Sequence, residues 1–125
     1  MKLAIYKPQK LNKMKNEIID YEIWVPVYKR EDIEVSNYGR IRGTNNKGVL
    51  MTFKPEINTD IFKGMTINYW QEPVFISEIM AETFLNDFYF KENKTVIKFR
   101  DGNRYNNHLN NLELITEQER LKRLN

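Results

Sequence analysis

The stretch VIKFRDGNRYNNHLNNLELITEQER, Val96–Arg120, decides how the chain folds. With Thr95 added, TVIKF is a run of β-branched and aromatic residues and reads as a strand. Asp101-Gly102-Asn103 then calls for a turn, because Gly102 takes positive φ without steric cost while the flanking side chains bond nearby backbone groups. Asn106, Asn107, Asn110 and Asn111 supply amides that satisfy the following loop and hold two strands in register. LELIT is the second of those strands. TEQERLKRL follows as a helix, with Thr116 as its cap and Glu119 facing back toward it.

Upstream, ISEIMAETF places Ile76, Ile79, Met80, Thr83 and Phe84 at helical spacing, with Ser77 as a cap near its start. VLMTFKP and DIFKGMTIN read as two short strands. EDIEVSNYGRIRG alternates apolar and polar residues around Asn37-Tyr38-Gly39, which predicts a hairpin, and EIIDYEIWVPV precedes it as an apolar segment. DFYFKENK (Asp87–Lys94) gathers Phe88, Tyr89 and Phe90 in a connection, either as core or as a dock for a protein partner. The expected fold is α+β: a flexible basic arm at 1–16, a β region at 17–72 and a ββα region at 73–125.

The chain has 125 residues, enough for one domain with a modest core. Its formal charge of +3 is too mild to identify a nucleic-acid binder by itself, but the distribution is uneven. Lys2, Lys7, Lys10, Lys13 and Lys15 precede the first acidic residue, and Arg120, Lys122 and Arg123 lie at the other end. These are solvated tails or arms that track phosphates. The absence of cysteine excludes disulfides, thiolate metal sites and thiol nucleophiles. No segment has the apolar length of a membrane span or a signal peptide, so a cytoplasmic protein without membrane partners is expected.

Glu22-Ile23-Trp24 through EVSNYGRIRG resembles the nuclease-associated modular domain (NUMOD type) that precedes many phage and intron-borne HNH homing endonucleases. KGVLMTFKP, ISEIMAETF and DGNRYNNHLNNLELIT resemble the remainder of such an enzyme in the same order. In that family a ββα-metal motif holds one divalent cation against a scissile phosphate, with an aspartate and a helix asparagine as ligands and a histidine as base. The resemblance places Lys98 at the metal aspartate, Phe99 at the base and Arg120 at the helix asparagine. Ser77 falls where a further histidine commonly opens the preceding helix. Phenyl accepts no proton, and ammonium and guanidinium groups have no lone pair for a cation. The resemblance therefore implies the fold and argues against its chemistry, with no catalytic residue, no metal and no cofactor.

What remains is a set of cations for DNA or another phosphate-bearing ligand. Lys98 and Arg120 are expected to contact phosphate oxygens, with Phe99 stacking on a base or filling the space of the lost imidazole. Arg100 and Arg104 join them beside the turn, and Arg40 and Arg42 alternate onto one face of the hairpin near Tyr38, suited to a phosphate or a narrow minor groove. The primary expectation is a phage-encoded regulator or blocker that binds DNA without cutting it. The alternatives are an inhibitor of a host protein or defence system, acting by protein contact or by sequestering a nucleotide signal, and a nuclease with a rearranged site drawing on Asp101, His108, Glu113 or Glu119. Resemblance of fold does not choose among them, and oligomeric state is open.

Overall fold

The structure, a computed structural model, describes residues 21–59, 63–85 and 95–123. The basic arm at 1–16 and the aromatic connection at 87–94 lie outside the described residues. Four antiparallel strands come first, bonded in sequence order: β1 (Trp24–Val27), β2 (Arg30–Ser36), β3 (Ile41–Thr44) and β4 (Leu50–Thr52). Alternation along them buries Val25, Val27, Ile33, Val35 and Ile41. Pro26 is tolerated because β1 is an edge strand, where a missing N–H breaks no inner ladder, and the register shifts between Pro26 and Val27.

A second antiparallel sheet runs β5 (Glu56–Asn58), β6 (Gly64–Tyr69), β7 (Glu72–Phe75). β6 overlaps the predicted DIFKGMTIN segment and runs one residue past it, to Tyr69. β5 and β7 were not legible as strands, being short and either polar or interrupted by Pro73, which an edge position accommodates. β7 feeds without a loop into α1 (Ile76–Phe84), whose N-cap is Phe75, extended at φ −70° and ψ 131° and lacking a side-chain cap bond. Ser77 is therefore not the cap that its type suggested. It sits in the first turn.

The closing unit is the predicted one: β8 (Thr95–Phe99), a turn and loop, a 3-10 turn at Leu109–Asn111, β9 (Leu112–Thr116) and α2 (Glu117–Arg123). β8 and β9 pair antiparallel from Thr95 opposite Thr116 to Phe99 opposite Leu112. The capping box forms, with the Glu119 N–H donating to Thr116 Oγ1 at 3.1 Å and the Thr116 N–H donating to Glu119 Oε1 at 3.4 Å.

One cluster of buried side chains joins Val25, Val35 and Ile41 to Ile67, Ile79, Met80, Phe84, Phe99 and Leu112. Each large member contributes about 1.5–3 kcal/mol through removal from water, so this shared core outweighs any local propensity. The β region at 17–72 and the ββα region at 73–125 are expected to form one compact unit. β7 runs across the boundary between them, and the core draws on both sides. Among the described residues no helix is long and apolar enough to cross a membrane.

Candidate phosphate-binding groove

The Asp-Gly-Asn turn is locked by its own side chains. Asp101 accepts from the Asn103 N–H at 2.7 Å, from Asn106 Nδ2 at 2.9 Å and from Asn111 Nδ2 at 2.9 Å. These donors, Asn106 first, hold its carboxyl below the usual carboxylate range. Gly102 takes φ +76°, as the turn requires. Asn111 also donates to the Asn106 carbonyl at 2.9 Å and accepts the Asp101 N–H at 2.9 Å, so a single buried amide ties both ends of the loop.

That loop is docked on the first sheet. The Asn37 carbonyl accepts the Leu109 N–H at 2.8 Å, while the Asn37 side chain accepts the Ile23 N–H at 2.8 Å and donates to the Tyr21 carbonyl at 3.1 Å. Gly39, at φ +85°, lies so close to Asn107 that a Cβ would stand 2.8 Å from its carbonyl oxygen. The hairpin turn is thus a docking face as well as a turn.

Beside this frame, α1, β8 and α2 enclose an open groove of about 500 Å³. Phe75 and Phe99 are its aromatic lining, and Lys63, Arg104 and Arg120 bring cations to it, with Ser77 and Glu78 of the first turn of α1 lining it as well. The Arg104 Nε donates to the Lys63 carbonyl at 3.0 Å, and its guanidinium stands 5.5 Å from the Phe99 ring centre. Arg120 is 44% exposed and donates from Nε to Glu117 Oε1 at 3.2 Å. That bond holds its pKa above the already high guanidinium value, so the charge is permanent. An exposed ion pair of this kind is held weakly, since solvent screens it, and an incoming phosphate can share or displace the carboxylate.

Of the residues expected to form the site, Phe99, Arg104 and Arg120 line the groove. Lys98 does not. Successive side chains on a strand point to opposite faces, so Lys98 and Phe99 part company. Lys98 lies across from Glu113 in the ladder, 3.5 Å from Oε1, and Arg100 reaches the other oxygen of the same carboxylate at 3.6 Å. Phe99 is 9% exposed, so most of its ring fills space in the core and only a little of it reaches the groove. Lys63 and Phe75 were missed, since only the tertiary arrangement brings β6 and β7 to this place; no local motif marks them.

Arg40 and Arg42 share a face as expected, with guanidinium centres 5.6 Å and 4.1 Å from the Trp24 ring centre. Each is paired, Arg40 with Glu22 through Nε at 2.8 Å and Arg42 with Glu34 at 2.8 Å. The Arg40 bond in turn lowers the Glu22 pKa. The hairpin face thus carries its cations already matched by carboxylates.

The groups from which a rearranged catalytic site would be drawn have structural partners. His108 caps the 3-10 turn, accepting the Asn110 N–H on Nδ1 at 3.2 Å, and its ring lies 4.9 Å from that of Tyr38. Asp101 is bound to three amide groups, Glu113 is shared by Lys98 and Arg100, and Glu119 belongs to the capping box. Among the described residues no group of three or more His, Cys, Asp or Glu is placed to hold a metal ion.

The α+β arrangement of two antiparallel sheets, a helix and a closing strand-loop-strand-helix unit is similar in fold to a solved HNH homing endonuclease. A match among solved structures is "DNA binding and cleavage by the HNH homing endonuclease I-HmuI", at TM-score 0.61 and 22% identity. The match covers 81% of this chain and 56% of that one, so this chain spans little more than half the length of the enzyme it is similar to. No family model and no curated protein matches the sequence.

Proposed function

We propose that this chain is a non-cleaving DNA-binding protein, which holds the phosphate backbone in the groove between α1, β8 and α2 and acts as a regulator or blocker, in a phage setting. The observation that carries the proposal is the lining of the groove: three cationic side chains, Lys63, Arg104 and Arg120, around a buried phenyl ring. Guanidinium forks match phosphate oxygens, and the Arg104 head is already positioned by the Lys63 carbonyl and the Phe99 face. The I-HmuI protein binds and cleaves DNA, which makes DNA the first ligand to test.

Non-cleavage rests on the resemblance, under which a phenyl ring stands at Phe99 in place of a base and a guanidinium at Arg120 in place of a metal-binding amide. Neither can ligate a hard cation or take a proton from water. The first sheet then serves as a NUMOD-like support, docking the loop through Asn37 and Gly39. Purified protein incubated with supercoiled plasmid and Mg²⁺ or Mn²⁺ tests the catalytic half. Plasmid that stays supercoiled is the expected result, and metal-dependent nicking that is lost in His108→Ala identifies a rearranged nuclease instead.

A further inference from the structure

The tip of the β6–β7 hairpin is built against its own conformational preferences. Trp70 and Gln71 both take positive φ, +50° and +67°, the pattern of a two-residue turn that strongly favours Asn-Gly. Trp70 nevertheless stands there and is 76% exposed, the most exposed of the large apolar side chains described. Its orientation is fixed: Nε1 donates to Asp32 Oδ2 at 3.2 Å, while the Tyr69 hydroxyl donates to Asp32 Oδ1 at 2.7 Å. The two rings meet nearly edge to face, 6.2 Å apart at 84°. An indole held rigidly in water by a carboxylate, on a strained turn, marks a binding feature, since nothing in the core depends on it.

The charge around it selects the occupant. Glu72 pairs directly with Tyr69 across the hairpin, so its carboxylate lies on the same face as the Tyr69 ring that binds Asp32. Arg30 covers the Tyr69 ring at 5.4 Å, whereas the Trp70 ring is largely open to solvent, with the Asp32 carboxylate at its Nε1. A polyanion is repelled at such a place, and a cation is drawn both to the indole face and to the carboxylates. We propose that the Trp70 tip is a docking site for an arginine-bearing segment of a protein partner. This surface is separate from the groove and does not depend on the reading of that groove.

The test uses the full chain and three fluorescein-labelled probes: a peptide alternating glycine and arginine, its glutamate counterpart, and a single-stranded oligonucleotide, followed by anisotropy. Saturable binding of the arginine peptide is expected, with no binding of the glutamate peptide. Trp70→Asn is the decisive variant, because asparagine suits the left-handed turn and keeps the hairpin intact while removing the indole. It is expected to match or exceed the parent in melting temperature and to weaken the arginine peptide by about fivefold or more. Trp70→Phe is expected to retain most of the affinity, and Glu72→Gln to reduce it. Failure of the arginine peptide to bind, equal affinity in Trp70→Asn, or a loss in that variant confined to the oligonucleotide overturns the proposal.

Discussion

Asp101 and Asn111 hold each other twice: the Asn111 amide donates to the Asp101 carboxylate at 2.9 Å, and its oxygen accepts the Asp101 backbone N–H at 2.9 Å. Asn111 is buried and also bonds the Asn106 carbonyl, so its loss removes the tie between the two ends of the loop. Asn111→Ala is expected to cost about 1–3 kcal/mol, read by denaturant melts. Asn111→Asp is expected to cost more, since it sets a second carboxylate against the first. Equal stability of parent and Asn111→Ala contradicts the structural reading of this pair.

Stability at acid pH follows from the same carboxylate, which is held chiefly by Asn106, then by the Asn103 N–H, and less by Asn111. The folded Asp101 pKa lies below its unfolded value, so its contribution is fully present above about pH 4 and is lost as pH falls through the folded value. In Asp101→Asn this part of the acid limb disappears, and the curve of stability against pH flattens below about pH 4 relative to the parent. Thermal melts between about pH 2 and 6 measure it; a limb that steepens in the variant has the wrong sign.

Gly39 and Gly48 both take left-handed φ, +85° and +77°, but only Gly39 is pressed on a neighbour. Gly48→Ala is expected to cost the conformational penalty alone, about 1–2 kcal/mol. Gly39→Ala adds a collision with the Asn107 backbone and is expected to cost about 3 kcal/mol or more. Similar melting temperatures for the two variants count against the docking of the loop on the hairpin.

Phe99 supports the groove as well as lining it. Phe99→Ala is expected to cost about 3–5 kcal/mol, through lost burial and the cavity left behind, whereas Phe99→Leu keeps most of the volume and costs less than half of that. Urea titrations compare them. A small effect of Phe99→Ala places this ring outside the core.

Much of this architecture is legible in the residues. The β2–β3 hairpin, α1, the β8–β9 pair and the Thr116–Glu119 capping box each follow from short-range pattern and polar chemistry. The Asp-Gly-Asn turn does too. The groove is less legible, because its parts meet only through tertiary packing: Lys63 leads into β6, Phe75 ends β7, and Arg104 arrives from the loop. Lys98 falls outside the groove for a physical reason. A position inherited from a motif is a position on the backbone, while the side chain obeys the strand's alternation and the nearest opposite charge, here Glu113. Ser77 likewise is not the cap, since a helix entered directly from a strand takes its cap from the strand's last residue.

The most direct test of metal-free gripping is the affinity for a labelled DNA duplex in EDTA across a salt series, for the parent and for Lys63→Glu, Arg104→Glu and Arg120→Glu. Contact with about three phosphates predicts a slope of log affinity against log salt near −2.7, and each substitution is expected to weaken binding and reduce the slope by about one. Binding that requires magnesium, or affinity and slope unchanged in all three variants, contradicts it.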